Sequence, residues 1–307
     1  MERKVIKQGN DTLTITLPKA WTKKYSIKPG DLLDMTIMNH ILEITGKKII
    51  RNNNVSIMLD SVEYDYIRWT LGALFRSGAN EINVNFRNKN ILEVVQKIIS
   101  NKITGFIITE QKENMCVIKC ITTDDEKDLY SLINRVFITL LSFADNCAAV
   151  LQSRKLSGFN DLLYLHENTD KTIALCERII SKNSLSDINA NFRIAILENL
   201  ELIGDVYYDI YNLFLKVKKF YKKNPAMVRQ LEEANKFLRM ASIQFFSYKS
   251  DDMQIIIHDF MRCRKTIKQV TKNISGEEML FFYHLSILCD LIKNVFPTII
   301  LLNIERK

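Results

Sequence analysis

The chain has 307 residues, enough for two or three domains and too many for one ordinary core. Hydrophobic residues make up 47% and charged residues 25%, a balance that excludes a wholly disordered chain. Glycines (9) and prolines (4) are so few, with no proline between Pro29 and Pro225, that a loop-rich β-sandwich or propeller is excluded and long helices are expected. The net charge of +8 is uneven: residues 1–51 hold 10 Lys/Arg against 5 Asp/Glu, while the remaining 256 hold 33 against 30. A sixth of the chain thus carries more than half the excess, which points to a polyanionic partner, either nucleic acid or an anionic membrane surface.

Residues 1–50 read as a β-rich unit. Thr12-Leu13-Thr14-Ile15-Thr16-Leu17 alternates polar and apolar, the period of a half-buried strand. Pro18 suits the first position of a short helix over Lys19–Tyr25. Pro29-Gly30-Asp31 is a turn, and Leu32–Met38 and Ile41–Thr45 flank Asn39-His40 as a hairpin. A unit this small buries too little surface to stand alone without disulfide or metal, so a second copy of itself, a homodimer, is expected. Its basic residues Arg3, Lys4, Lys7, Lys19, Lys23 and Lys24 fall within 22 positions. Pairing two copies would double them on one surface suited to a phosphate backbone. Trp21 and Tyr25, four apart, read as core anchors of this unit rather than as base-stacking groups.

Residues 51–122 alternate element types. Strands are expected at Val55–Leu59 and Glu81–Phe86, helices at Tyr64–Arg76 and Ile91–Ile99, and a hairpin pairs Phe106–Glu110 with Met115–Ile121. That order makes a small α/β domain with helices covering a sheet. Over residues 123–307 the helical period dominates, and six helices are expected near 126–154, 159–182, 187–222, 226–248, 251–273 and 277–304. Short breaks such as Ser157-Gly158, Asn224-Pro225 and Ser275-Gly276 arrange them as two three-helix units in tandem.

The remaining chemistry is sparse. The six cysteines contain no CxxC pair and the four histidines no HxxxH spacing, which favours reduced thiols in a cytoplasmic protein over disulfides or a catalytic zinc. No run of 18 uncharged apolar residues occurs and the chain opens without an apolar signal core, so no membrane insertion is expected. With no GxxxxGK, GxSxG or dinucleotide fingerprint, no enzyme is expected. Cys116 and Cys120 read as packed thiols, His258 and His284 as core or interface histidines. Lys216, Lys218, Lys219, Lys222 and Lys223 read as cations at a helix C-terminus.

Two resemblances add to this reading. The run Arg3-Lys4-Val5-Ile6-Lys7-Gln8-Gly9-Asn10, then the alternating strand, Leu17-Pro18-Lys19 and Ile27-Lys28-Pro29-Gly30-Asp31, resembles in its order the AbrB/SpoVT/MazE swapped-hairpin domain. That resemblance implies an obligate dimer of interleaved hairpins that binds DNA, with Arg3, Lys4, Lys7, Asn10, Lys19, Lys23 and Lys24 as the contacting positions. Thr22 stands where the family carries one of two helix-borne basic residues, and Asn10 where it often carries another, which weakens base readout more than phosphate binding.

Glu198-Asn199-Leu200-Glu201-Leu202-Ile203-Gly204-Asp205 resembles the recurring PhoU motif, with Ala144-Asp145 and His166-Glu167-Asn168-Thr169-Asp170-Lys171 in fitting places upstream. Ile103–Gln111 looks like the α/β insert of archaeal proteins that fuse an AbrB-like head to a PhoU-like tail. The expected fold is therefore multidomain α+β: a swapped-hairpin β domain at 1–50, an α/β linking domain at 51–122 and an all-α PhoU-like domain at 123–307. The implied function is a cytoplasmic, DNA-binding transcriptional regulator of phosphate uptake whose tail senses or relays phosphate status. The alternative is an adaptor that docks on a phosphate transporter or signalling kinase, with the head serving only to dimerise. Carboxylates at i and i+4 share one helical face, so Glu201 and Asp205, with Asp170, are the candidate ligands of one divalent or iron-type metal ion. The plainer reading of those acids is an exposed face that balances a basic protein.

Overall fold

The computed structural model describes residues 2–9, 11–38, 41–46, 53–122, 126–153, 159–183, 189–216, 225–271 and 276–304. It divides into two compact units, Met1–Asn52 and Asn53–Lys307.

In the first unit β1 (Ile6–Gln8) pairs antiparallel with β2 (Thr12–Thr14), placing Lys7 opposite Leu13. The expected strand stops at Thr14, short of Leu17. Pro18 takes the N-cap of α1 (Lys19–Lys24), one position earlier than expected. The helix closes as the turn chemistry demands. Ile27 N–H donates to Thr22 O at 2.9 Å and Ser26 N–H to Lys23 O at 3.3 Å, with Ser26 left-handed at φ 52°. Pro29 and Gly30 (φ 92°) then make the expected turn, with Asp31 N–H donating to Lys28 O at 3.1 Å. β3 (Asp34–Met38) and β4 (Ile41–Thr45) form the second hairpin.

Among the first-unit residues whose burial is described, none is buried. Leu32 is 85% exposed, Ile37 81%, Leu13 70% and Met35 65%. Tyr25 is also exposed and leans on the half-buried Trp21, ring centroids 6.0 Å apart, so the two aromatics anchor no core within one chain.

The second unit begins with a four-stranded sheet in the order β5-β6-β8-β7. β5 (Asn54–Leu59) runs parallel to β6 (Glu81–Phe86), and β8 (Met115–Cys120) is antiparallel to both β6 and β7 (Phe106–Lys112). Helices α2 (Tyr64–Arg76) and α3 (Asn90–Lys102) cover the sheet with Ile67, Leu71 and Phe75 and with Ile91, Val95, Ile98 and Ile99. A bulge between Ile108 and Glu110 bends the β7 edge.

Among the described residues six long helices follow: α4 (Leu129–Ser153), α5 (Phe159–Asn183), α6 (Ala190–Lys216), α7 (Pro225–Phe246), α8 (Ser250–Thr271) and α9 (Glu277–Asn303). α4, α5 and α6 pack together, as do α7, α8 and α9, and the α6–α9 and α4–α7 contacts join the two groups over one continuous core. The tandem three-helix arrangement expected from the breaks is what forms. The α/β segment and the helices nevertheless belong to one compact unit, in which Ala174 and Leu175 of α5 pack against the sheet-and-helix core.

α4 and residues 278–303 of α9 are long and apolar enough to cross a membrane by length and composition alone. Both supply buried side chains to the bundle core, such as Phe137, Phe143, Phe281 and Phe296.

One buried polar link ties three helices. Tyr207 Oη on α6 donates to Asn235 Oδ1 on α7 at 2.7 Å, and Asn235 Nδ2 donates to Ala144 O on α4 at 2.8 Å. Both side chains are buried, so breaking the link strands a hydroxyl and a carbonyl away from water. Asn235→Leu is expected to lower unfolding stability by about 2 kcal/mol, read by urea titration. The double variant Asn235→Leu/Tyr207→Phe should recover part of that loss, since it removes the orphaned hydroxyl.

Candidate functional site

Two groups of side chains carry the chemistry, one on each unit. On the first unit Arg3 and Lys4 lead into β1, Lys7 lies on it, and Lys19, Lys23 and Lys24 lie on α1. All six are exposed, and among the described residues none is in an ion pair. Lys19 and Lys23 share one helical face, and Lys24 Nζ sits 5.4 Å from the Tyr25 ring centroid. Asn10, expected beside them, lies outside the described residues, as do Lys218, Lys219, Lys222 and Lys223 of the later basic run.

The second group lies where α2 and α3 meet α5 and α6. α2 ends in a glycine-dependent stop: Ala79 N–H donates to Leu74 O and Gly78 N–H to Phe75 O, both at 3.0 Å, with Gly78 at φ 89°. Arg178, fully buried on α5, reaches this end. Its Nη1 donates to Phe75 O at 3.1 Å and Ala79 O at 2.7 Å, and its Nη2 to Asn80 Oδ1 at 3.1 Å. The guanidinium also lies 5.0 Å from the Phe75 ring centroid.

Arg76, on the last turn of α2, spans two acids. Its Nη2 donates to both Glu201 oxygens at 3.0 Å, and its Nε stands 2.9 Å from Glu177 Oε2. Oxygens of Glu177, Glu198 and Glu201 lie within 4.8 Å of one another. Glu177 is 3% exposed. Burial raises its carboxyl above the usual carboxylate range, and Glu198 and Glu201 add to this, outweighing the pull of Arg76. Burial also raises Glu201, against the opposing charge of Arg76.

One helical turn along α6, His166 of α5 bridges two further acids: Nδ1 is 3.3 Å from Asp170 and Nε2 is 3.0 Å from Asp205. Burial disfavours its charge, but hydrogen bonds to Asp170 and Asp205 and their charges outweigh that and lift it to about 9. Lys102 Nζ of α3 donates to Glu167 at 2.7 Å.

The expected metal set of Glu201, Asp205 and Asp170 is therefore distributed over two clusters. Arg76 engages Glu201, and His166 engages Asp205 and Asp170. Among the described residues, the acids whose oxygens converge closely enough for one cation are Glu177, Glu198 and Glu201, where the Arg76 guanidinium already occupies two of them. Elsewhere Asp290 pairs with Arg264, and Asp145 takes Arg239 through both oxygens at 3.0 Å. His258 is exposed beside Asp259 rather than buried, and His284 is half-buried 4.0 Å from Asp209.

No family model matches the chain, and no curated protein matches it. In structure it is similar to the phosphate transport system regulatory protein PhoU from Streptococcus pneumoniae, with 14% identity over 58% of this chain and 95% of that one and a TM-score of 0.47. A likeness of that size carries no assignment by itself.

Charged His166 stabilises the fold through two acids. Its pKa is raised above the unfolded value, so its contribution is complete below about pH 6.5 and is lost as pH rises through about 9. Thermal melts between pH 6 and 10 should show this loss, and His166→Asn should flatten it. Arg178→Met removes the three hydrogen bonds to Phe75 O, Ala79 O and Asn80 Oδ1 from a buried junction and is expected to cost about 3 kcal/mol. Lys182→Met, which removes a part-buried hydrogen bond to Asn80 at 2.9 Å, should cost far less in the same urea titration.

Proposed function

We propose that the chain is a homodimeric DNA-binding regulator of phosphate uptake, with its cationic first unit on DNA and its helical unit relaying phosphate status. One observation carries the DNA half: six basic side chains on a unit of about fifty residues are exposed and unpaired among the described residues. Phosphate oxygens satisfy such groups with no need for base edges, so affinity is electrostatic first and sequence-selective second. Dimerisation is supported by the same unit's exposed apolar residues, Leu13, Leu32, Met35 and Ile37, which have no core of their own. Leaving each in water forgoes roughly 1.5–3 kcal/mol, a strong bias toward a second copy. The phosphate half rests on the resemblance of Glu198–Asp205 to the PhoU motif.

The test is fluorescence anisotropy of the full chain on a labelled duplex across a salt series. A dimer that neutralises ~6 phosphates should give a log–log slope of ~−5. Lys7→Ala and Lys23→Ala should each make the slope shallower and weaken binding on every duplex sequence alike. Absence of binding at low salt, or affinity indifferent to salt, sinks the DNA reading and leaves the adaptor in which the first unit serves only to dimerise.

A further inference from the structure

Between α4 and α7 the second unit holds an open cavity of about 410 Å³. The two helices run antiparallel, since Asp145 meets Arg239 while Gln152, two turns further along α4, meets Glu232, two turns back on α7. These two cross-helix bridges stand at the ends of the cavity and enclose about 10 Å of groove. Ala148 and Ala149 of α4 leave the room between them. The volume falls within the range of small-molecule sites.

Polar groups in the cavity are only partly used. Asn235 lines it and is 5% exposed. Its Oδ1 accepts from Tyr207 and its Nδ2 gives one N–H to Ala144 O, so the second N–H has no acceptor among the described residues. A buried amide N–H left over beside open space calls for an acceptor there. Lys236, next along α7, makes no ion pair among the described residues, and Arg239 spends only Nη2 on Asp145. Facing these donors, Gln152 Nε2 donates to Glu232 Oε1, which leaves Gln152 Oε1 and Glu232 Oε2 as acceptors. Glu232 and Lys236 are four apart on one helical face, a spacing of about 5–6 Å between Cβ atoms, and are not paired with each other.

That pattern selects the charge of the ligand. An anion would gain Lys236 and Asn235 but meet Asp145 and Glu232, and a cation would meet the reverse. A zwitterion with its two charges close together satisfies both sets. Past the Asp145–Arg239 bridge a second cavity of about 500 Å³ shares Asp145, Ala149 and Arg239 with the first and adds the apolar Ile138 and Leu141. We propose that this groove binds an aliphatic α-amino acid. Its carboxylate lies on Lys236 and Asn235 Nδ2, its ammonium on Glu232 and Gln152, and its side chain runs over Ala149 toward Leu141. The site uses no residue of the first unit and none of the acids on α5 and α6, so it stands apart from the function proposed above.

The test is isothermal titration calorimetry of the full chain with L-leucine, backed by thermal melts at the same concentrations. One molecule per chain should bind and raise the melting temperature. Isocaproate lacks the ammonium, isoamylamine lacks the carboxylate, and inorganic phosphate is purely anionic; each should bind at least about tenfold more weakly. Lys236→Gln and Glu232→Gln, both at exposed positions, should each weaken leucine binding about tenfold. Ala149→Leu, also exposed, should fill the floor and abolish binding while the circular dichroism stays that of the parent. Absence of both heat and thermal shift at millimolar leucine overturns the proposal. So does equal binding of isocaproate, isoamylamine or phosphate, or leucine binding that neither Lys236→Gln nor Glu232→Gln alters.

Discussion

The second unit depends on one buried cation. Arg178 brings a guanidinium into an interior with no exposed surface, which is costly unless its donors are used. Phe75 O and Ala79 O use them, and they are open to Arg178 because Gly78 turns the chain left-handed and ends the helix there. The requirement is mutual. Without Arg178 the end of α2 loses two buried hydrogen bonds to its carbonyls, and without the Gly78 turn Arg178 loses those two acceptors. The helix C-terminus carries partial negative charge, so the cation also sits where the dipole favours it. This explains why the α/β segment is part of one unit with the helices: apolar packing of Phe75, Ala174 and Leu175 supplies area, and Arg178 fixes which end of which helix meets α5.

The same junction sets the character of the acidic face on α5 and α6. Carboxylates that could converge on a metal instead receive cations from the protein's own chain, Arg76 from α2, Lys102 from α3 and His166 from α5. Three acids around one guanidinium carry more negative charge than Arg76 cancels, and burial makes the imbalance worse. Burial and the neighbouring acids raise the carboxyl of Glu177, the most buried member, above the usual carboxylate range. An ion entering this cluster would have to displace Arg76 from Glu177 and Glu201, and so would act on the α2 junction as well as on the acids. A cation there and the docking of the α/β segment are thus coupled through one side chain.

Much of this was legible from residue order because local signals agreed. Tyr64–Arg76 and Glu81–Phe86 form over the spans their periodicity marks, since Ser77-Gly78 supplies a stop between them. The six long helices follow from caps and breaks in a stretch nearly free of glycine and proline. The acids Glu201 and Asp205 were visible as an i, i+4 pair, but their cations were not. Arg76 and Arg178 lie 125 and about a hundred positions from the groups they bond, and no local period encodes such a pairing. A faint signal existed: Arg178 sits among Ile173, Cys176, Ile179 and Ile180 on the buried side of α5, where a charge requires a partner. His258 misled in the opposite sense. Ile255-Ile256-Ile257 precede it, yet only Ile256 of the three is buried, so apolar neighbours in sequence were not neighbours in the core.

The first unit poses a different balance. Its short hairpins leave apolar side chains in water, which favours pairing with a second copy, while residues 1–51 carry a net +5, which pairing would double. Hydrophobic burial and charge repulsion therefore oppose each other in any dimer built on this unit. A polyanion on the shared surface relieves the repulsion without touching the apolar contact. Binding and association must then reinforce each other: anything that binds the paired form more tightly than the single one shifts the equilibrium toward pairing by the ratio of the two affinities. Salt acts on both sides of that balance, weakening the attraction to phosphate and the repulsion between copies together. In a dimer built on this unit, apolar area would hold the copies together and charge would decide what they are held against.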